Sequence, residues 1–179
     1  AGCSYRAIDF TDRDATQEFA KTIGEMAPDI LINNAGINKL SPFIELPLED
    51  FEEIQAVNLL APFLLCQAVL ASMSEKGWGR IVNISSIWGK VSKEYRAPYS
   101  ASKFALDGMS VALAAEFSEQ GVMINCVAPG FTDTELTQQT LGPEGIETLK
   151  KLVPVRRLGS VEEIAGAVRW LAGPENTYI

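Results

Sequence analysis

Short apolar runs recur along the chain, and longer stretches with helical spacing separate them. Each run is rich in Ile, Val or Leu and ends at turn-forming residues. Runs that are apolar at nearly every position are typical of strands in a parallel sheet covered on both faces. We therefore predict four buried strands, at Tyr5–Asp9, Asp29–Asn33, Arg80–Ser85 and Val122–Val127.

Helical patterns fill the intervals between these strands. Asp14 is predicted to cap a first helix that Pro28 ends, because apolar side chains recur within it three or four residues apart. Proline in a first turn and glycine after a last turn mark the ends of further helices. These are predicted from about Pro47, from Pro62 to Lys76, from Tyr99 to Glu119, and from Ser160, in a capping-box sequence, to Ala172.

Strands that alternate with helices indicate right-handed βαβ units. Residues 1–179 are therefore predicted to form a single α/β domain with a doubly wound parallel sheet. The stretch Thr137–Leu158 interrupts the alternation, with glycines and prolines around a short helical pattern at Ile146–Leu152. Long insertions after the carboxyl end of a strand often form lids, so residues 135–158 are predicted to cover a substrate.

Composition and charge narrow the possible partners. The 179 residues are 47% hydrophobic, which is enough for one domain with a core. Fifteen basic against 23 acidic residues give a net charge of −8, and an acidic surface repels phosphate backbones, so nucleic acid is not an expected partner. The longest apolar run, Leu59–Ala71, is interrupted by Pro62 and Gln67, so no membrane partner is expected.

The chain contains no histidine. This excludes a Ser-His-Asp triad, a Cys-His dyad and any His-ligated metal site, and no metal site is expected. Cys3, Cys66 and Cys126 are far apart and form no C-x-x-C, which is typical of a reducing cytoplasm. A general acid or base must therefore be Tyr, Lys, Asp, Glu or Cys.

Small and polar residues follow three of the predicted strands. Ligands of open α/β sheets bind at the carboxyl ends of the strands, and small residues there let a flat ligand approach closely. The sequence therefore predicts a ligand crevice floored by Asn33–Gly36, Ser85–Ser86 and Pro129–Thr134.

The sharpest chemical feature is the pair Tyr99 and Lys103, four residues apart near the start of a helix. Residues with this spacing point from one helix face. An unperturbed tyrosine, with a pKa of about 10, is a poor base at neutral pH. A neighbouring ammonium favours the phenolate and lowers that pKa, so Tyr99 could exchange a proton with a substrate oxygen.

These motifs, taken together and in this order, resemble the short-chain dehydrogenase/reductase family, and the pattern is 3-oxoacyl-ACP reductase-like. Ser86 lies thirteen residues before Tyr99, and Asn58 lies twenty-eight before Ser86, as in the family's Asn-Ser-Tyr-Lys tetrad. The resemblance implies hydride transfer between NAD or NADP and an alcohol or carbonyl substrate. Tyr99 would be the acid/base and Lys103 would lower its pKa and hold the nicotinamide ribose.

The resemblance implies roles for further residues. Ser86 would orient the substrate oxygen together with Tyr99, and Asn58 would anchor a water that links Lys103 to solvent. The cofactor-binding residues would be Asn34, Ala35 and Gly36 at the adenosine ribose, Asp9 and Phe10 at the adenine, and Pro129, Gly130, Thr132 and Thr134 at the carboxamide and diphosphate end.

The chain departs from the family pattern at both ends. It has no Gly-rich turn after a first strand, so by the resemblance it begins at the family's third strand and lacks the first two strands and the last. In the family's strand order the two absent strands would separate Tyr5–Asp9 from Asp29–Asn33. We therefore expect Tyr5–Asp9 to lack a neighbour and Asp29–Asn33 to expose an apolar edge. The chain alone is expected to have little affinity for a dinucleotide.

Several alternatives remain open. A non-catalytic remnant of the family, acting as a scaffold or interaction subunit, would also lack the Gly-rich turn. Trp88 and Tyr95 could line the substrate pocket or only pack against the lid. The substrate, and the choice between NAD and NADP, are not decided by these residues. Family members commonly pair through the helices before and after the Ser86 strand, so a homodimer or homotetramer is expected.

Overall fold

The computed structural model describes residues 3–179, except for the side chains of residues 136, 139 and 140; Ala1 and Gly2 lie outside the described part. The strands are β1 (Ile30–Asn33), β2 (Gly79–Ile84) and β3 (Val122–Val127). The helices are α1 (Arg13–Met26), α2 (Leu48–Gln55), α3 (Ala61–Lys76), α4 (Ala97–Phe117), α5 (Glu135–Leu152) and α6 (Val161–Ala172). Short helical turns occupy Phe43–Glu45, Ala56–Leu60, Ile87–Gly89 and Ser118–Gln120.

The three strands form one parallel sheet in the order β1-β2-β3. Asn33 is in register with Asn83, and Asn83 with Cys126. The Asn33 amide donates to the Asn83 side-chain oxygen at 2.8 Å, which ties β1 to β2 near their carboxyl ends. The α/β parallel architecture is confirmed, and three of the four predicted strands are observed within a residue of their expected ends.

The fourth prediction, a strand at Tyr5–Asp9, is wrong. Residues 3–9 carry no strand, and no strand of the described chain pairs with them. A strand exists only when its backbone groups meet a neighbour, so the apolar run is not sufficient by itself. The outer edge of β1 is also unpaired in the described chain, and Ile30 and Ile32 on it are 43% and 47% exposed.

Two helix starts differ from expectation. Asp12, not Asp14, caps α1: its backbone is extended and its carboxylate accepts from the Ala15 amide at 3.0 Å, whereas Asp14 lies in the first turn. α4 begins at Ala97 rather than Tyr99, because Pro98 has no amide hydrogen to satisfy and fits a first turn. Both helices contain the predicted interior.

The core lies on both faces of the sheet. α3 packs against β2 and β3 through Cys66, Val69 and Met73, which meet Ile81 and Val122. The next residue along β2, Val82, points to the other face and meets α6 at Val168 and Ala172. One continuous helical stretch, residues 48–76, is long and apolar enough to span a membrane by length and composition, but half of its most apolar window is buried in this fold.

The segment predicted as a lid forms a longer helix than expected. α5 spans Glu135–Leu152 and is kinked at Gly142, whose φ of 61° and ψ of 179° are available only to glycine. The chain before this segment and the chain after it meet. Thr132 and Gly159 form an isolated β-bridge, and the Gly159 amide donates to the Phe131 carbonyl at 2.9 Å.

Candidate active site

The ends of β2 and β3 bring Ser86 next to the Pro129–Gly130 turn. The Ser85 amide donates to the Val127 carbonyl at 2.7 Å, and the Ile87 amide donates to the Pro129 carbonyl at 2.9 Å. Parallel strands have their carboxyl ends on one edge of the sheet, so these two turns share a floor. The convergence predicted for the second and third crevice segments is therefore observed.

Asn58 lies in the helical turn that joins α2 to α3. Residues 56–60 form a π-helical turn, a widened turn that often marks functional sites. The buried Asn58 side chain accepts from the Ile37 amide at 2.8 Å and donates to the Ile37 carbonyl at 2.9 Å. It also donates to the Ser102 hydroxyl at 3.1 Å, so it joins the loop after β1 to α4.

Lys103 is buried beside the same loop. Its ammonium donates to the Ile84 carbonyl at 2.7 Å and lies 5.7 Å from the centre of the Tyr99 ring. A Cβ added at Gly36 would lie 3.5 Å from the Asn58 side-chain oxygen and 3.6 Å from the Lys103 nitrogen. Asn58 and Lys103 thus meet at the turn that follows β1, and the Tyr99 ring lies near Lys103.

Burial changes the protonation of this lysine. Loss of water around the ammonium lowers the pKa of Lys103 from 10.5 to about 8, and the negative charges of Cys126, when ionised, and Asp107 oppose that shift. Lys103 therefore loses its proton near pH 8, at lower pH than an ordinary lysine.

Ser86 begins the short turn Ile87–Gly89. Its hydroxyl accepts from the Trp88 amide at 3.2 Å, and the side chain is buried. The turn lies directly on α4 because residue 89 has no side chain: a Cβ at Gly89 would come within 3.0 Å of the Lys103 carbonyl oxygen. This contact places the element that carries Ser86 against the helix that carries Tyr99 and Lys103.

Two pockets contain most of the residues expected to bind a cofactor. The larger, of about 850 Å³, is lined by Asn34, Pro129, Thr132 and Thr134 on one side and by α6 on the other. The smaller, of about 220 Å³, is lined by Phe10, Asn34 and Ala35 among apolar side chains of α1 and α3. Asn34 borders both, so the two pockets are adjacent.

Five expected cofactor residues line neither pocket: Asp9, Gly36, Tyr99, Lys103 and Gly130. Asp9 is exposed, and its carboxylate accepts from the Thr11 hydroxyl and amide at 2.7 and 2.9 Å, which lowers its pKa. Gly130 has nothing within 4 Å of an added Cβ, so it leaves open space beside Pro129.

Sequence reasoning missed the part of the larger pocket that α6 supplies. Ile164, Val168 and Arg169 line it, and the helical pattern alone would assign the two apolar residues to the core.

Trp88 packs edge-on against Phe131, with ring centres 6.1 Å apart. Tyr95 is mostly exposed in a left-handed conformation with φ of 66°.

Comparison with known proteins places these features in a family. The profile of the short chain dehydrogenase family matches residues 2–144. The chain is 41% identical over 151 residues, 84% of its length, to the 3-oxoacyl-acyl-carrier-protein reductase of Aquifex aeolicus, and covers 60% of that protein. It is 35% identical over 179 residues, 98% of its length, to gluconate 5-dehydrogenase of Gluconobacter oxydans, and covers 70% of it.

Solved structures agree in fold. ElxO with NADP bound superposes with a TM-score of 0.89 at 30% identity, covering 98% of this chain and 73% of that one. A 4-hydroxyisoleucine dehydrogenase complexed with NADH gives 0.89 at 32% identity, covering 96% and 72%. The chain thus spans about 60 to 73% of the length of these relatives. On the family profile and these identities, the chain belongs to the short-chain dehydrogenase family.

Proposed function

We propose that the protein containing this chain transfers a hydride between NAD(P) and an alcohol or carbonyl substrate, with Tyr99 as the acid/base. The observation that carries the proposal is the buried Lys103 ammonium, which lies 5.7 Å from the Tyr99 ring and adjoins Asn58 at Gly36. Relatives with 35 to 41% identity are named as dehydrogenases or reductases, which supports the reaction class.

The proton-transfer role of Tyr99 rests on electrostatics. An ammonium close to a phenol favours the phenolate and brings proton exchange toward neutral pH. The Lys103 ammonium donates to the Ile84 carbonyl at 2.7 Å, so the end of β2, rather than solvent, sets the position of the ammonium. Tyr99 then gives a proton to the carbonyl oxygen during reduction and takes it back during oxidation.

Ser86 and Asn58 have supporting roles. Ser86 would hydrogen-bond the same substrate oxygen, because its hydroxyl lies at the end of β2 in the turn packed on α4. Asn58 would hold a water between Lys103 and solvent, since its side chain is fixed by both backbone groups of Ile37. Fixed donors cost little reorganisation during the reaction.

Groups of these residues would contact four parts of a dinucleotide. Asn34, Ala35 and Gly36 would contact the adenosine ribose, Asp9 and Phe10 the adenine, Tyr99 and Lys103 the nicotinamide ribose, and Pro129, Gly130, Thr132 and Thr134 the carboxamide and diphosphate end. Gly36 suits this role because the missing side chain leaves access to Lys103 and Asn58. The sequence contains no Gly-rich diphosphate turn, so the part of the diphosphate contact that such a turn makes is not supplied by these 179 residues. The bound nicotinamide supplies the hydride.

Related structures carry NADP or NADH, so the proposal includes both cofactors. Residues 135–158 would close over the substrate, since α5 is kinked at Gly142 and the chain on either side of this segment meets at Thr132 and Gly159.

A homodimer or homotetramer through α3 and α4 is supported by exposed Phe63, Phe104 and Val111. A cytoplasmic location and the absence of nucleic-acid and membrane partners belong to the same proposal.

Replacing Tyr99 by Phe in the natural protein that contains this sequence tests the central role. We expect carbonyl reduction to fall by at least about 10³-fold while NADH and NADPH titrations change little, because only the proton donor is lost. Tyr178→Phe, which removes an exposed hydroxyl, is the matched control. Turnover retained in Tyr99→Phe would reject the acid/base assignment. A natural protein that binds neither cofactor would favour the non-catalytic scaffold.

A further inference from the structure

A buried carboxylate lies next to the proposed site and has no part in the roles above. Asp107 is one turn beyond Lys103 on α4 and is only 8% exposed. Neither of its oxygens has an aligned hydrogen-bond donor within the described part of the chain, and the same holds for the buried hydroxyl of Ser85. A buried carboxylate without an aligned donor is costly, so its place in the fold needs a physical reason.

Asp107 and Ser85 border the same point of the Ser86 turn. A Cβ at Gly89 would lie 2.6 Å from Oδ2 of Asp107 and 2.9 Å from Oγ of Ser85. The Lys90 ammonium, from the residue after that turn, forms an ion pair with Oδ2 at 3.0 Å. The carboxylate is therefore enclosed between α4 and the segment 85–90 that carries Ser86.

We propose that Asp107 is a positioning residue: its carboxylate holds the Ser85–Lys90 segment on α4 and places a negative charge one helical turn from the buried Lys103 ammonium. This inference rests on the proposed function, because only a charged Lys103 assists Tyr99. The two roles are connected through β2. The segment that Asp107 holds directly follows this strand, and the carbonyl of Ile84, the last residue of the strand, binds Lys103.

The charges around this site determine the expected signs. Asp107 raises the pKa of Lys103 against the lowering caused by burial. From β3, Cys126 faces both groups, and burial raises the pKa of its thiol to about 11, so it is uncharged at neutral pH. The other charged group here is Lys90, whose positive charge partly offsets the negative charge of Asp107. Removing the charge of Asp107 should therefore lower the pKa of Lys103, and removing the charge of Lys90 should raise it.

The experiment compares Asp107→Asn with Lys90→Gln in the natural protein that contains this sequence. Two measurements are made: NMR titration of the Lys103 ammonium, assigned by its loss in Lys103→Arg, and the pH profile of kcat/KM for carbonyl reduction. In Asp107→Asn we expect the Lys103 titration and the alkaline limb to move to lower pH. We also expect kcat to fall on the order of tenfold above pH 8, because the Ser86 turn and the ammonium are both disturbed. In Lys90→Gln both should move to higher pH.

Glu116→Gln is the matched control, because it removes an exposed acid from the same helix and should move neither measurement. Opposite shifts in the two variants support the inference, since a purely structural contact would not change sign. Unchanged Lys103 titration in both variants, or shifts in the same direction, would overturn it. The NMR titration needs no turnover, so a failure of the proposed reaction, which Tyr99→Phe detects, is distinguished from a failure here.

Discussion

At the level of single residues, Lys103 couples the proposed chemistry to stability. Its pKa of about 8 in the folded protein, against 10.5 for an ordinary lysine, reflects burial of the ammonium. Below pH 8 both the folded and unfolded chains are protonated, and the folded state bears the full cost of a buried charge. Between about 8 and 10.5 the unfolded chain binds more protons, so the stability of the fold rises with pH across this window. Residues at active sites often carry such a cost.

Replacing Lys103 by Met should therefore stabilise the fold at pH 7. A pKa difference of this size corresponds to at most about 3 kcal/mol, and loss of the bond to the Ile84 carbonyl returns about 1 kcal/mol of it. We expect a net gain of about 1–2 kcal/mol in urea unfolding at pH 7 that disappears by pH 10. Lys21→Met, on the exposed side of α1, should change little. A less stable Lys103→Met at pH 7 would contradict the burial argument.

At the level of elements, the start of α6 shows how local chemistry fixes a helix that lines the larger pocket. The Ser160 hydroxyl accepts from the Glu163 amide at 3.2 Å, and the Glu163 carboxylate accepts from the Ser160 amide at 2.8 Å. Arg157 donates two hydrogen bonds to the same carboxylate and, with the Ser160 amide, lowers the pKa of Glu163 to about 2. The cap thus also joins α6 to the end of the proposed lid.

Removing the cap tests this joint. Ser160→Ala should lower the free energy of unfolding by about 1 kcal/mol, because an amide at the helix start loses its acceptor. Ser160→Thr keeps a hydroxyl and should cost clearly less. Chemical denaturation of both variants against the parent is the measurement. Equal losses in the two variants would mean that packing, rather than the capping bond, determines the effect.

At the level of the whole molecule, the free edge of β1 is the most consequential feature of the described chain. Unpaired backbone groups and half-exposed Ile30 and Ile32 form a template on which another strand can add. The 179-residue chain by itself should therefore associate with increasing concentration, beyond any association through α3 and α4.

A charge on that edge should reduce the association. Ile32→Lys places an ammonium on the outer strand and is expected to shift sedimentation toward smaller species at equal concentration. Phe104→Lys on α4 is the comparison, because it tests the expected helix-mediated pairing instead. If Ile32→Lys leaves the distribution unchanged while Phe104→Lys shifts it, the edge does not drive association.

Much of this molecule was predictable because its signals are local. The capping box at Ser160 and the glycine after α3 mark their helices by contacts within a few residues, and both are observed. The spacing of Tyr99 and Lys103 places them on one helix face before any tertiary structure is known. The resemblance added Ser86 and Asn58 as expected partners, and their roles remain proposals. The strand at Tyr5–Asp9 failed because a strand depends on a neighbour that local sequence cannot supply.

The sequence by itself therefore determined the succession of the β1–β3 strands and their helices along the chain. It also placed Tyr99 and Lys103 on one face of a helix and excluded catalytic or metal sites that need histidine. Turn chemistry, helix periodicity and composition act over a few residues and need no distant partner. Only the tertiary structure decided that Asn58 and Lys103 meet at Gly36, that α6 walls the larger pocket, and that Asp107 is buried beneath the Ser86 turn. These depend on side chains brought together from distant parts of the chain, where burial and neighbouring charges shift the pKa that each residue type has in water.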